Sequence, residues 1–346
     1  MNNENYKATD LPDTFSITAK IKRIASILFI KGGVLPWFLC IAVIGFSLSN
    51  ENFLTERNLF GISRQSTYLI LVAMAQMIVM LTAGLDLSVG VMLAMTSVIS
   101  SMTMVSLWSG YGTGWESVFI GCLAGMGASI SIGAINGIGV AIFRVPPFVM
   151  TLAVSSIVFG LALTITGGTP IYGVPDVFAN VFGYGQMAGI PVPVWITALC
   201  VSIIYVFINW TPMGRYLYAI GGNVRAAALS GINTRFYLVG AYILSSAITG
   251  IAALLLTARL ESGESNIGAN YPLLSIAACA IGGVSLFGGV GRLSNVVLGA
   301  IFIILIQNGM NLLRINSYLQ MVVIGVLLIV AIIADNFRQQ LILTIK

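Results

Sequence analysis

The chain has 346 residues, of which 58% are hydrophobic and only 8% are charged, and its net charge is +5. Because soluble domains carry about 25% charged residues, this chain could not cover a water-facing surface of its own size, and most of its surface is expected to face lipid. The basic residues are scattered singly, which argues against nucleic-acid binding. The absence of histidine excludes histidine-based catalysis and histidine metal sites, and no other metal site is expected.

Ten apolar runs follow a polar segment over residues 1–31, which is expected to be a cytoplasmic tail. A helix needs about 20 apolar residues to cross the hydrocarbon layer. The pattern predicts an all-α polytopic membrane protein with about ten transmembrane helices in a domain over 32–336, followed by a cytoplasmic tail over 337–346. Glycines leave open whether two of the runs, 66–83 and 272–287, span fully or are broken helices. In chain order the runs are 33–50, 66–83, 87–107, 117–142, 147–166, 193–210, 236–257, 272–287, 293–313 and 318–334.

The positions of lysine and arginine predict the orientation of these helices, because cytoplasmic loops carry an excess of both. With ten spans and a cytoplasmic N-terminus, twelve of the 16 basic residues face the cytoplasm, and the reverse orientation inverts that ratio. We therefore expect both termini inside, outer loops over 168–192 and 258–271, and a long inside loop over 211–235.

The first candidate site is the junction of the second and third runs, Thr82–Gly90. An acid between two apolar runs is costly near lipid and suggests a functional role for Asp86. The other interpretation is that Asp86 or Ser88 caps the following helix, and the two roles are compatible. The glycines at 84 and 90 permit a close backbone approach or a broken helix beside a substrate path.

The second candidate site is a short helix in the inside loop. Asn223 is a favourable N-cap, the segment after it is rich in alanine, and Gly231 suits the left-handed position beyond a helix end. Such a helix is expected to dock into a partner protein, although it could instead lie idle on the membrane surface. The residues expected to couple this chain to an ATPase are Arg215, Gly221, Gly222, Asn223, Arg225, Ala226, Ser230 and Gly231.

The third candidate site is the glycine-rich stretch Ile281–Arg292. A phosphate-binding loop of the Walker type needs a lysine after its last glycine, and the chain has no Gly-Lys pair, so no ATP site is expected. The stretch instead predicts a helix-breaking turn that weakly repeats residues 82–90. Asn136, between two glycines, either packs helices together or lines a polar path. The residues taken as candidates for that path are Gly84, Asp86, Ser88, Gly90, Asn136, Gly282, Gly283 and Ser285.

Taken in order, these segments resemble the ribose-type family of ABC importer permeases, the membrane subunits for monosaccharides, and within it the ribose permeases. The likeness covers about residues 50 to 336. It rests on Leu81–Gly90, Gly133–Gly137, Gly214–Asn223, Leu229–Asn233, Gly282–Ser285, Gly288–Gly291 and Asn308–Leu312.

The resemblance implies a transport subunit of the bacterial inner membrane, without an ATP site or enzymatic activity of its own. ATP and Mg would be bound by partner ATPase subunits that contact the inside loop. A periplasmic or extracellular sugar-binding protein would deliver the sugar, and a second permease copy would complete the path, with a homodimer favoured over a heterodimer. Where the family shows acids after Gly-Gly-Asn and near residue 271, this chain has Val224-Arg225 and Pro272-Leu273, which leaves the sugar open.

The expected mechanism is alternating access, in which closure of the ATPase subunits pushes on 211–235 and moves the helices that flank 84–90 and 281–291. The scarcity of charge inside the membrane favours a neutral, hydroxyl-rich solute. The alternative is a stand-alone secondary transporter coupled to H⁺ or Na⁺. Asp86 is the only acid expected at membrane depth, which argues against an ion pathway.

Overall fold

The computed structural model of the protein describes residues 35–108 and 114–345, so the predicted tail over 1–31 lies outside the described residues. The described chain is predominantly helical and its strands are only two residues long, which confirms the predicted all-α class. Its helices are α1 (Leu35–Ser49), α2 (Glu56–Leu81), α3 (Val89–Leu107), α4 (Trp115–Ala141), α5 (Pro147–Thr166), α6 (Asp176–Phe178), α7 (Val192–Trp210), α8 (Pro212–Gly222), α9 (Val224–Leu229), α10 (Thr234–Leu260), α11 (Tyr271–Ile281), α12 (Leu293–Leu312) and α13 (Ser317–Ile345).

Each of the ten apolar runs overlaps one of the longer helices, α1–α5, α7 or α10–α13. By length and composition, seven helices of the described ranges could cross a membrane, namely α2, α3, α4, α5, α7, α10 and α12. The 11-residue α11 is too short to do so alone.

Helix α2 lies at the centre of the bundle, where α7, α10, α11 and α12 pack around it. Every residue from Ser66 to Thr82 is buried. A helix that is apolar on all sides is expected to be surrounded by other helices. Helices α1 and α13 pack on the outside against α12, and α5 packs against α3 and α4.

Small residues bring α4 close to α10. A Cβ on Gly133 would collide with Ser246, and a Cβ on Gly137 would lie 2.9 Å from the Cα of Val239. The Ser129 hydroxyl donates a 2.7 Å hydrogen bond to the Ser246 carbonyl across the same contact. These two glycines therefore act in helix packing, as small residues commonly do in membranes.

Two helices extend ten or more residues beyond their predicted runs. Helix α2 begins at Glu56, ten residues before the second apolar run, because polar residues in its first turns conceal the helix from a search for apolar runs. Asn58 on those turns exchanges hydrogen bonds of 2.8–3.0 Å with Asn308 of α12. At the C-terminus, α13 continues to Ile345, so helix covers most of the predicted tail over 337–346.

Short strands lie in the two predicted outer loops. Strand β1 (Ile171–Tyr172) pairs antiparallel with β4 (Ser262–Gly263), and β2 (Gln186–Met187) forms a hairpin with β3 (Ile190–Pro191). A single turn of π-helix over Ala179–Gly183 follows α6. The pairing of β1 with β4 joins the two outer loops to each other.

The irregular segment 264–270 follows β4 and runs along α3. The Glu264 amide donates to the Ser97 hydroxyl at 3.1 Å, and Gly268 lies directly against Gly90 at the start of α3. The eleven residues of α11 that follow rise only about 16 Å, roughly half the thickness of the hydrocarbon layer. The eighth apolar run therefore contains only a half-length helix, and the turns of 264–270 before it, predicted to lie in the outer loop 258–271, return along α3 instead.

Candidate functional site

A buried network of polar side chains holds the junction between α2 and α3. The Asp86 carboxylate accepts hydrogen bonds from the Ser88 amide, at 2.8 Å, and from the Ser88 hydroxyl. The Asn136 amide donates to the same hydroxyl at 2.7 Å. All three side chains are fully buried. In this structure they support the junction from inside the bundle and have no contact with solvent.

The capping role expected of Asp86 or Ser88 takes a different form in the structure. Ser88 occupies the N-cap position of α3, but its side chain accepts no hydrogen bond from that helix. Asp86 binds the Ser88 amide, one residue before the first helical residue. The side chain of Gln76 binds the backbone of Asp86 in the amide orientation that gives both of its polar atoms a partner. Its oxygen accepts from the Asp86 amide at 3.2 Å, and its nitrogen donates to the Asp86 carbonyl at 2.9 Å. The acid thus organises the loop before α3 and leaves the first turn of α3 without a side-chain cap.

Helices α2 and α11 end in the same way. Ala83 and Gly283 each adopt a left-handed backbone conformation, with φ of 61° and 75°. The next amide in each case, Gly84 or Val284, bonds back to the carbonyl five residues earlier, at 3.2 and 2.9 Å. This is the Schellman arrangement of a helix C-terminus. The predicted repeat between these stretches therefore has a structural counterpart at Ala83 and Gly283.

The two turns contact each other and helix α8. The Gly289 amide donates to the Leu81 carbonyl at 3.0 Å, and Gly288 packs against Ala83. Gly221 of α8 abuts the same Leu81 carbonyl so closely that it has no room for a Cβ. Three segments distant in sequence thus meet at one backbone carbonyl.

A second contact joins α8 to the glycine-rich turn. The Tyr218 hydroxyl donates a 2.9 Å hydrogen bond to the Gly291 carbonyl. Burial raises the pKa of this hydroxyl, against an opposing effect of the nearby Arg292, so the hydroxyl keeps its proton and remains a donor. Sequence reasoning missed both α8 and Tyr218, because the inside loop offered clear signals only for the shorter helix that follows.

The shorter helix α9 has the predicted N-cap, Asn223, and the predicted glycine after its C-terminus, Gly231. The Asn223 side chain accepts from the amides of Arg225 and Ala226, each at 3.0 Å. Gly231 has φ of 84°, and the Ile232 amide closes the helix end on the Ala227 carbonyl at 3.1 Å. Most residues named for coupling are exposed on α8 and α9, whereas Gly221 is half-buried against Leu81.

Two large apolar side chains project beside this helix pair. Leu229, at the end of α9, is 91% exposed, and Phe287, in the glycine-rich turn, is 90% exposed. The turn lies next to the α8–α9 connection, since Gly289 contacts Gly222. Exposed apolar residues beside a close-packed junction are typical of a surface that a partner covers.

A cavity of about 310 Å³ lies on the other side of the α2–α3 junction. Its walls are the first turns of α3, the middle of α5, segment 264–270 and the start of α11. The residues that line it include Gly90, Ser155, Ser156, Phe159, Ser265, Asn266 and Pro272, and no lining residue is charged. Of the residues predicted for the path, only Gly90 reaches this cavity.

A family profile described as "Branched-chain amino acid transport system / permease component" matches residues 58–332. The chain belongs to this permease family. The ribose import permease of Haemophilus influenzae is 36% identical to it over 304 residues, which are 86% of this chain and 91% of that protein. The D-allose transport system permease of Escherichia coli is 35% identical over 298 residues, covering 86% and 89% of the two chains. The ribose import permease of Bacillus subtilis is 37% identical over 299 residues, covering 86% and 90%. No solved structure matches the chain.

Within the permease, the residues predicted for a translocation path fall into separate groups. Asp86, Ser88 and Asn136 form the buried network, and Gly84 packs against Val79 and the Tyr242 hydroxyl. In the other turn, Gly282 packs against Asn295 of α12, and the Ser285 hydroxyl accepts from the Phe287 amide at 3.1 Å and so shapes the turn. The polar composition of 264–270 was the signal that could have pointed to the cavity.

Proposed function

We propose that this chain is the membrane-spanning subunit of an ABC importer and passes a neutral monosaccharide, ribose or a similar pentose or hexose, into the cytoplasm by alternating access. The relatives named for ribose and allose support this proposal. The family description instead names branched-chain amino acids. The two substrate classes differ in charge, since a free amino acid at neutral pH carries both a carboxylate and an ammonium group.

The observation that supports a sugar is the uncharged lining of the cavity beside α3. A buried carboxylate or ammonium group requires a partner of opposite charge or several strong hydrogen bonds. The serine and asparagine side chains of the cavity can bond to the hydroxyl groups of a neutral solute, and its apolar residues, Leu87, Val91, Ala94, Phe159, Ala269 and Pro272, can contact the carbon skeleton.

Helices α8 and α9 are proposed as the docking site for the ATPase subunits. Helix α9 is capped at both ends, and Leu229 beside it is exposed as a partner contact would require. Helix α8 touches both glycine turns through Gly221 and Tyr218, so a push on the helix pair would reach the starts of α3 and α12. In this proposal ATP and Mg are bound by the partner subunits and the permease supplies no catalytic group.

The remaining partners follow from the same proposal. A periplasmic or extracellular binding protein delivers the sugar at the side of β1–β4, and a second copy of the permease completes the path in a homodimer. The protein lies in the bacterial inner membrane, with both termini in the cytoplasm.

The coupling role is tested by removing the cap of α9 and then restoring it. Asn223→Ala removes the acceptor for two amides, which costs about 1 kcal/mol of helix stability and hence about a fivefold fall in the ratio of folded to frayed α9. Asn223→Ser keeps an acceptor and is the matched control. In the complete importer, we expect the alanine variant to lose most of its ATP hydrolysis stimulated by the binding protein, while the serine variant retains it and both insert normally.

A second measurement addresses the function itself. The permease alone, in liposomes with a pH or Na⁺ gradient, is expected to take up no ribose, allose or arabinose, whereas the complete importer with ATP does so. Gradient-driven uptake by the isolated chain would instead identify an ion-coupled transporter. If the Asn223→Ala variant keeps normal ATP hydrolysis stimulated by the binding protein, the docking assignment is wrong, but the proposed transport function is not affected.

A further inference from the structure

We infer that the cavity between α3, α5 and segment 264–270 is a sugar-binding station inside the permease, so that this chain itself selects among neutral sugars. The inference rests on the proposed function and adds a location and a set of contacts to it. The residues that would contact the sugar are Ser156 and Phe159 of α5 and Asn266 of segment 264–270.

The first step is that this part of the surface cannot face lipid. Segment 264–270 is irregular backbone that follows α3 from Ser97 to Gly90, and Asn266, Ala269 and Asn270 on it are exposed. Within the hydrocarbon layer, irregular backbone is tolerated only where it is buried in protein or lines a water-filled cavity. Because these residues are not covered by the described chain, the space beside them is expected to contain water.

The second step is that the cavity has the size and chemistry of a site for a small hydroxylated molecule. Its volume of about 310 Å³ falls at the lower end of the range for small-molecule pockets, which suits a single monosaccharide. Asn266 is exposed and can donate and accept hydrogen bonds, and the exposed Ser156 hydroxyl, which donates to the Leu152 carbonyl at 3.3 Å, can accept them. The Ser155 hydroxyl is buried at the wall without a partner among the described residues.

The third step concerns the apolar side of a sugar. Phe159 is 37% exposed and lines the cavity together with residues of segment 264–270. A pyranose or furanose ring has faces of C–H groups with hydroxyls around its edge, so a lining that includes both an aromatic ring and polar side chains matches both parts.

Two helix starts border the same space. Gly90 in the first turn of α3 and Pro272 in the first turn of α11 both line the cavity. The first two residues of α11 offer it no main-chain donor, because the Tyr271 amide bonds to the Gly268 carbonyl and Pro272 has no N–H. The start of α3, which no side chain caps, lies beside the polar side chains and does not by itself define the site.

Cysteine labelling tests whether water reaches the cavity and whether sugar occupies it. Single cysteines Ser156→Cys and Asn266→Cys are introduced into the permease with its four native cysteines replaced by alanine, within the complete importer in membrane vesicles. The control is Ser202→Cys on α7, an exposed serine that bonds within its own helix among exposed apolar residues. We expect a water-soluble thiol reagent to label both cavity positions and not the control. Millimolar D-ribose, D-allose or L-arabinose should slow the cavity labelling several-fold.

Uptake by the native-cysteine importer provides an independent measurement. Asn266→Leu is expected to lower uptake of these sugars several-fold and to change their relative rates. Asn209→Leu, an exposed asparagine on α7 that bonds within its own helix, is expected to leave uptake unchanged.

Three results would overturn the inference. The cavity cysteines could resist labelling, which would show that lipid or a second copy fills the space. They could be labelled at a rate that none of the three sugars alters. Asn266→Leu could also transport all three at parental rates. If the parental importer still takes up sugar in each case, the proposed function stands and only the binding station is rejected.

Discussion

At the scale of single residues, the contact at the Leu81 carbonyl leaves no room for side chains. Gly221 of α8 and Gly289 of the second turn both approach this oxygen with their backbones. A larger residue at either position would separate α8 from the turns that precede α3 and α12. Gly221 has ordinary helical backbone without a left-handed φ, so backbone conformation does not require glycine there. Glycine is required because the Leu81 carbonyl lies where a side chain would be.

Gly221→Ala should destabilise the permease, because the new methyl group meets backbone atoms that cannot rotate away. Overpacking of this kind costs about 1–3 kcal/mol. Gly240→Ala on α10 is the matched control: Gly240 is also helical, and a Cβ there meets nothing within 4 Å. It should be neutral or stabilise the protein by up to about 1 kcal/mol. Thermal unfolding in detergent would show the difference, and equal unfolding temperatures would contradict this description of the junction.

At the scale of secondary-structure elements, the half-length helix α11 and segment 264–270 act as one unit. The segment is held against α3 where Gly268 and Gly90 touch backbone to backbone. It also positions the start of α11, since the Tyr271 amide bonds to the Gly268 carbonyl at 3.0 Å. Displacing the segment would thus move one wall of the cavity and the N-terminus of α11 together.

Gly268→Ala should lower sugar uptake strongly, because the methyl group would force the segment away from Gly90. Gly127→Ala on α4, where a Cβ meets nothing within 4 Å, is the matched control and should transport normally. Uptake per permease molecule, measured in vesicles with matched expression, is the appropriate readout. Parental uptake by the Gly268 variant would show that the contact with α3 can relax at little cost.

The elements differ in how far their sequence revealed them. The apolar run at 147–166 matches α5 at both ends because loop-forming residues border it. Helix α2 was recognised only from its apolar part, since Arg57, Asn58 and Arg64 conceal its first turns. The eighth run was extended beyond Ile281 because Val284 and Leu286 continue the apolar composition, although the backbone turns at Gly283. Composition reports burial, and only backbone geometry shows where a helix stops.

The candidate site was predictable to a similar degree. The cap of α9 follows from local rules, so Asn223 and Gly231 could be identified from the sequence alone. The cavity could not, because it depends on the return of segment 264–270 to α3, about 170 residues earlier in the chain. The sequence marks Asp86 as an acid between two apolar runs, but only its contacts with Ser88 and Gln76 show that it faces inward.

At the scale of the whole molecule, the charge distribution predicts which side of the membrane each loop occupies. The α8–α9 pair and the two glycine turns lie together at one end of the bundle, and segment 264–270 of the predicted outer loop 258–271 reaches back along α3 to Gly90. Twelve of the 16 basic residues belong to the predicted inner side. Because cytoplasmic loops are enriched in lysine and arginine, the α8–α9 end is expected to face the cytoplasm.

Reporter fusions would test this orientation. Green fluorescent protein joined after Lys346 should fluoresce, since it folds in the cytoplasm, and alkaline phosphatase joined after Gly173 should be active, since it matures outside. A fusion of each reporter at the other position is the control and should be inactive. The opposite pattern would place the α8–α9 end outside and rule out contact with an ATPase there.

The meeting of Gly221, Gly289 and Leu81 also determines how stiff the connection between the helix pair and the bundle can be. Side chains absorb small displacements by changing rotamer, but two glycines against a carbonyl have no rotamers to change. A movement of α8 would therefore displace the two glycine turns almost fully, because the backbones are in direct contact. Small movements of α8 would then suffice to shift α3 and α12, and a less closely packed contact would lose part of each movement.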